Sequence, residues 1–234
     1  MLLQTSTTIP TAAVSAQPAA GITLQDLFLQ SFDLFTILLV IGSVAAVAII
    51  VRCVLEIRKG VVLPEASERR IRQLIRDQKW NELGSFVQTD GAFVSKVVEA
   101  ALDAPGGAQG DKAAMREAAE LAASEQAANW FRKIEPLNIL GNLGPLLGLA
   151  GTVWGMIIAF AALGQSGGQA NPATLSIGIS KALFHTLLGL MLAVPALTVF
   201  GFYRTIVDRL CTRAMGISSE LVEMLPAAGE RGNK

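Results

Sequence analysis

Four residues in the apolar second half of this 234-residue chain carry groups able to bind or pass a proton: Thr152, Lys181, His185 and Thr186. Each admits two readings. The hydroxyls of Thr152 and Thr186 either line a shared pore against a partner helix, or bond the carbonyl one turn back and only pack. Lys181 lies about one turn inside an apolar run. It is either an intramembrane functional group or a lysine whose long stem carries its ammonium out to the headgroups. His185, one turn further in on the same side, either relays protons or is a satisfied or interface-facing imidazole. What is missing matters as much. No Asp or Glu occurs between Glu135 and Asp208, so if protons flow here, a carboxylate that cycles between protonated and charged forms is expected from another chain. The chain has one histidine and no metal-spaced Cys/His cluster. Neither an enzyme, a metal nor a cofactor is therefore expected. Gly144 to Gly155 is not a phosphate loop, because no strand precedes it and no Lys-Ser/Thr closes it.

These groups need helices to hold them inside a membrane. Pro136 to Leu163 contains no Asp, Glu, Lys, Arg or His and is long enough to cross a bilayer. Within it Gly141, Gly144, Gly148, Gly151 and Gly155 recur at spacings of 3 and 4. On a helix they form one stripe of small residues, which lets another backbone come very close. Asn138, Asn142, Pro145 and Thr152 flank that stripe. The next apolar run repeats the logic: Gly178, Ala182, Thr186, Gly189, Ala193 and Ala196 make a second stripe, with Pro195 beside it. Association of copies through these stripes is the expectation.

A third apolar run precedes both. The chain reads as all-α: three membrane helices at residues 34–53, 137–163 and 177–203, with long helices extending into a helical cytoplasmic domain at 54–136. Residues 1–33 read as an extracytoplasmic tail with an interfacial helix through Leu24, Leu27 and Phe28. Met1 to Gly21 has no positive n-region and does not read as a signal peptide. Residues 164–176 read as a polar extracytoplasmic loop, and 204–234 as a cytoplasmic amphipathic helix and tail. No Lys or Arg precedes Arg52, whereas Arg52, Arg58, Lys59, Arg132, Lys133, Arg204 and Arg209 border the other side. The positive-inside rule then puts the amino terminus outside. Pro64 starts one helical stretch through Val87, Ala92 to Ala104 is a second, and Asp111 is the expected N-cap of a long helix to Ile134. Pro136 is expected to open the second span. Composition agrees: 52% hydrophobic, 16% charged, formal net charge +0, which gives no reason for nucleic-acid binding. Cys53 and Cys211 are expected to be unpaired.

GPLLGLAGTVWGMIIAF and ISKALFHTLLGLMLAVPA resemble the second and third membrane helices of the ExbB/TolQ/MotA proton-channel family, closest to the ExbB/TolQ branch. The likeness is specific over Leu137 to Tyr203. It implies that Thr152 and Thr186 line a pore, and that the chain is an inner-membrane subunit of a motor driven by proton-motive force. It further implies a homo-oligomer, typically a pentamer, around a single-span ExbD/TolR-like partner whose helix brings an aspartate. A TonB-like or TolA-like arm would carry the work to the outer membrane. Lys181 departs from the pattern, since the best-known ExbB-type motif has glutamate there. That leaves a non-conducting membrane scaffold of the same fold as the alternative. A small transporter fits less well, because no inverted repeat and no charged midplane residue is visible.

Overall fold

The computed structural model describes residues 31–104, 111–165 and 172–226. The interfacial helix expected over Thr23 to Asp33 falls almost wholly outside them, as do the middle of the expected loop at 164–176 (residues 166–171) and the tail from residue 227; the rest of that loop, 164–165 and 172–176, is helical. Among the described residues there are seven helices and no strand: α1 (Leu34–Glu56), α2 (Lys59–Val62), α3 (Glu65–Arg76), α4 (Trp80–Thr89), α5 (Phe93–Leu102), α6 (Lys112–Gln165) and α7 (Pro172–Glu223). Helices α1, α6 and α7 each contain a stretch long and apolar enough to cross a membrane.

Helix α1 starts on Asp33, whose carboxylate accepts from the Thr36 N–H at 3.1 Å, satisfying one of the open amides of the first turn. Its buried face is a narrow line through Thr36, Leu39, Ala46 and Cys53, the last three at spacings of seven. Ile41, Val44 and Val47 on its other faces are more than half exposed, as lipid-facing residues are.

Helices α6 and α7 are single rods of 54 and 52 residues, each about 80 Å long. The break expected at Pro136 does not occur: α6 runs unbroken through Pro136 and Pro145. A proline removes one backbone bond and crowds the carbonyl four residues back, but here the helix is held against α7 and α1 on either side of both sites. The N-cap is at Asp111, which accepts from the Ala113 N–H at 2.9 Å. Pro172 opens α7 at the first helical position, where the missing N–H costs nothing, so α7 begins five residues before the span boundary read from the sequence.

The head of the molecule packs α3, α4 and α5 against the ends of α6 and α7. Ile71, Leu74, Leu83, Val87, Val98, Met115 and Leu221 form its core, all at or below 1% exposure. Arg72 bridges α3 to α7 through Glu220 at 2.7 Å, and Arg116 pairs with Glu223 to tie the start of α6 to the end of α7. Both cysteines are buried and free.

The stretch from Glu65 to Val87, read as one helical run, is two helices. The break is a Schellman motif. The Lys79 N–H reaches Leu74 O at 3.0 Å and the Gln78 N–H reaches Ile75 O at 3.2 Å, with Gln78 at φ 58°. No glycine or proline marks the turn, so composition hides it. Because Cβ opposes this left-handed conformation, Gln78→Gly is expected to stabilise the head by about 1 kcal/mol. Melting in detergent checks this. An unchanged or lower midpoint would mean that contacts of the Gln78 side chain outweigh the strain.

Candidate functional site

The stripe of small residues on α6 seats against α7 of the same chain. Along one face of α6 the buried residues run Met115, Ala119, Ala123, Ala127, Ile134, Leu137 and then Gly141, Gly144, Gly148, Gly151. The series ends in four glycines at the apolar end, where the two backbones come very close. A Cβ on Gly144 would lie 2.8 Å from Gly189 O, one on Gly148 2.8 Å from His185 O, and one on Gly189 2.5 Å from Gly144 O. Gly141 meets Leu197, Gly151 the His185 ring and Gly155 Ala182. The surface expected to bind another copy is therefore filled from within the chain. Pro195, expected among the packing residues, is exposed on α7, where its ring leaves the seam to Leu192, Ala193 and Ala196.

Inside this seam Thr152 and Thr186 meet hydroxyl to hydroxyl. Their other bonds cross. Thr152 Oγ1 lies 3.0 Å from Gly148 O, its own carbonyl one turn back, and 3.0 Å from Ala182 O, the carbonyl one turn behind Thr186. Thr186 Oγ1 reaches Gly148 O at 3.4 Å. Each hydroxyl has one hydrogen to donate and lone pairs to accept. Two patterns therefore fit the same heavy atoms. In one, Thr152 donates to Thr186, which donates to Gly148 O. In the other, Thr186 donates to Thr152, which donates to Gly148 O or Ala182 O. Rotation of two hydroxyls interconverts them without moving either helix.

His185 precedes Thr186 and its side chain is only 2% exposed. Its Nε2 lies 2.9 Å from Asp33 Oδ1, and Phe35 packs its edge near the ring at 6.3 Å between centroids. Its Nδ1 is buried and has no hydrogen-bond partner among the described residues, an arrangement that costs about 1–3 kcal/mol. Burial pushes the Asp33 carboxyl up, but the bonds from the Thr36 N–H and His185 more than offset this and leave it below its ordinary value. Lys181 is half-buried on α7 and makes no ion pair or side-chain hydrogen bond among the described residues.

Asp33 is the residue that sequence reading missed. The sequence alone puts it in the amino-terminal tail and shows no carboxylate between Glu135 and Asp208. That holds for residues 136–207, the apolar parts of α6 and α7, but the cap of α1 brings a carboxylate to a histidine 152 positions away. An Asp directly before an apolar run, with Thr three residues on, is an N-cap signal and could have placed it at the head of the helix. Nothing in the sequence could have placed it beside His185.

Three apolar helices, two of them in glycine-to-backbone contact with hydroxyls paired in the seam, define a multi-span α-helical membrane protein with polar groups sequestered between spans. Residues 88–215 match the MotA/TolQ/ExbB proton channel family, and the chain belongs to that family, one of transport proteins and not of enzymes. It is 36% identical over 88 residues to the biopolymer transport protein exbB1 of Vibrio cholerae, covering 38% of this chain and 39% of that protein. It is 27% identical over 183 residues to the biopolymer transport protein ExbB of Pseudomonas putida, covering 74% of this chain and 55% of that one. It is also 34% identical over 89 residues to the Tol-Pal system protein TolQ of Pseudomonas aeruginosa, covering 38% of each. The match thus spans about half or less of the length of these relatives.

Proposed function

We propose that this chain is an ExbB/TolQ-like subunit of an inner-membrane motor driven by proton-motive force. Several copies, five in the family's usual arrangement, would surround a single-span ExbD/TolR-like partner. Thr152 and Thr186 would carry protons past that partner's carboxylate, with Lys181 and His185 toward the outer mouth. The motor would energise outer-membrane transport or envelope function through a TonB-like or TolA-like arm. The amino terminus would lie outside and the carboxy terminus in the cytoplasm, in keeping with the Lys and Arg asymmetry.

The observation that carries this reading is the crossed threonine pair, which offers two hydroxyl orientations on fixed backbones inside an apolar seam. The test is proton flux into liposomes holding this chain with and without its partner. Flux is expected only when both are present. Intact oligomers that bind the partner yet pass no protons would overturn it and favour the non-conducting scaffold. The observation favouring that second reading is Lys181, a cation near the mouth where the family motif has an acid.

A further inference from the structure

We propose that Nδ1 of His185 is a proton-binding station beside the threonine pair, and that Asp33 is the positioning residue that keeps it free to bind. This rests on the proton-carrying reading above and deepens it.

The argument starts from Asp33. An ionised carboxylate only accepts hydrogen bonds, so the 2.9 Å contact requires the hydrogen of His185 on Nε2. A neutral imidazole then has its lone pair on Nδ1. That nitrogen is buried and without a partner among the described residues. It is therefore a bare base held in one tautomer within the membrane part of the fold. Unpaired buried polar atoms of this kind call for an explanation beyond packing.

The neighbourhood suits a proton and little else. Among the described residues, Asp33 at the cap of α1 is the charged group at the ring. Helix α6 offers none, since no ionisable residue lies between Glu135 and Gln165, and it presents Gly151, where an added Cβ would sit 2.8 Å from His185 Cγ. From α7, Lys181 stands one turn earlier with the same sign as an imidazolium. Among the described residues, protonated His185 would thus have Asp33 as its counter-charge and Lys181 as the opposing charge. The next residues on either side of the seam are Thr152, adjacent to Gly151, and Thr186, adjacent to His185.

The step balances simply. A proton delivered by water forms an N–H bond at Nδ1 and yields an imidazolium facing the Asp33 carboxylate. That same bond breaks when a water takes the proton on to the threonine hydroxyls, which Nδ1 does not itself contact, and from there to a carboxylate of the partner helix. The Nε2–H bond stays intact throughout, Asp33 stays ionised, and no electron changes hands.

The chain has one histidine, so labelling histidine with nitrogen-15 in this chain alone, with an unlabelled partner, restricts the ring signals of the reconstituted complex to His185. At high pH the expected spectrum shows a protonated Nε2 and a bare Nδ1, with Nδ1 gaining its proton on acidification. Asn is as good an N-cap as Asp, so Asp33→Asn should leave α1 in place. Its amide can either accept from or donate to Nε2, so the ring should show both tautomers in place of one. His185→Gln should lower proton flux with oligomer yield unchanged, and Asp33→Glu should restore flux better than Asp33→Asn. A bare Nε2 with protonated Nδ1 in the neutral ring would overturn the proposal even if His185→Gln proves unstable. So would wild-type flux in a well-assembled His185→Gln complex. In that last case Thr186→Val would still lose flux if the wider reading holds, whereas absence of flux in the wild-type complex would count against the wider reading itself.

Discussion

Gly189→Ala is expected to strip the protein of most of its folded yield, whereas Gly201→Ala on the same helix should leave it as stable or slightly more so. The two changes add the same methyl group. At Gly189 the methyl would sit 2.5 Å from Gly144 O and 3.2 Å from Gly148 Cα. These are backbone atoms of a neighbouring helix and have no rotamer to change. Relief requires α6 and α7 to part along the seam, which loosens the contacts of Gly144, Gly148 and Gly151 together. Overpacking of this sort costs about 1–3 kcal/mol and sometimes more, and a membrane bundle has no hydrophobic drive between its spans to offset it. At Gly201 nothing lies within 4 Å, so only the helix propensity changes, by about 1 kcal/mol in favour of alanine. Detergent-extracted yield and melting temperature of the two variants provide the check. Equal behaviour would mean that the seam is not a tight internal contact. Because the stripe faces the chain's own α7, the damage should show as lost fold and not as a smaller intact oligomer.

The second large effect is on function with the fold kept. Thr186→Val preserves shape and branching but removes the hydroxyl that meets Thr152. Thr152 retains Gly148 O and Ala182 O as acceptors, so packing should hold. What is lost is the alternation between two donor patterns. Proton flux with the partner present is expected to fall by about a factor of 10² or more, the scale on which placed proton-transfer groups act. Thr152→Val should do the same, and the double variant should lose little beyond either single one, because a pair acting as a unit is not additive. Undiminished flux in Thr186→Val together with lost flux in Lys181→Gln would put the pathway on the Lys181 side of α7.

Much of this architecture could be read before any coordinates. Apolar runs marked the three spans, and the 3-and-4 spacing of glycines marked a close helix contact. Asp111 announced its helix because an N-cap is a local rule. Features set by contact across the fold stayed hidden. Periodicity shows that the glycine stripe needs a neighbour but not which one, and a second copy and α7 satisfy it equally well. The pairing of Asp33 with His185 joins a cap to a distant turn, and no spacing rule reaches that far. The turn at Gln78 uses a residue type common in helices, so its left-handed backbone leaves no trace in composition. Pro136 misled for the opposite reason: a strong local breaker is overridden where a helix is clamped on both sides of it.

The unbroken run of α6 has a mechanical corollary. From Thr152 to its start at Lys112 lie 40 residues of continuous helix, a lever arm of about 60 Å. A tilt of about 5° at the level of the threonines would swing the far tip by about 5 Å. The whole beam, braced by α7 and clasped at its end by Arg116 and Glu223, would move as one. Small displacements in the bilayer would therefore arrive amplified at the opposite end, and a torque applied there would be geared down on its way back.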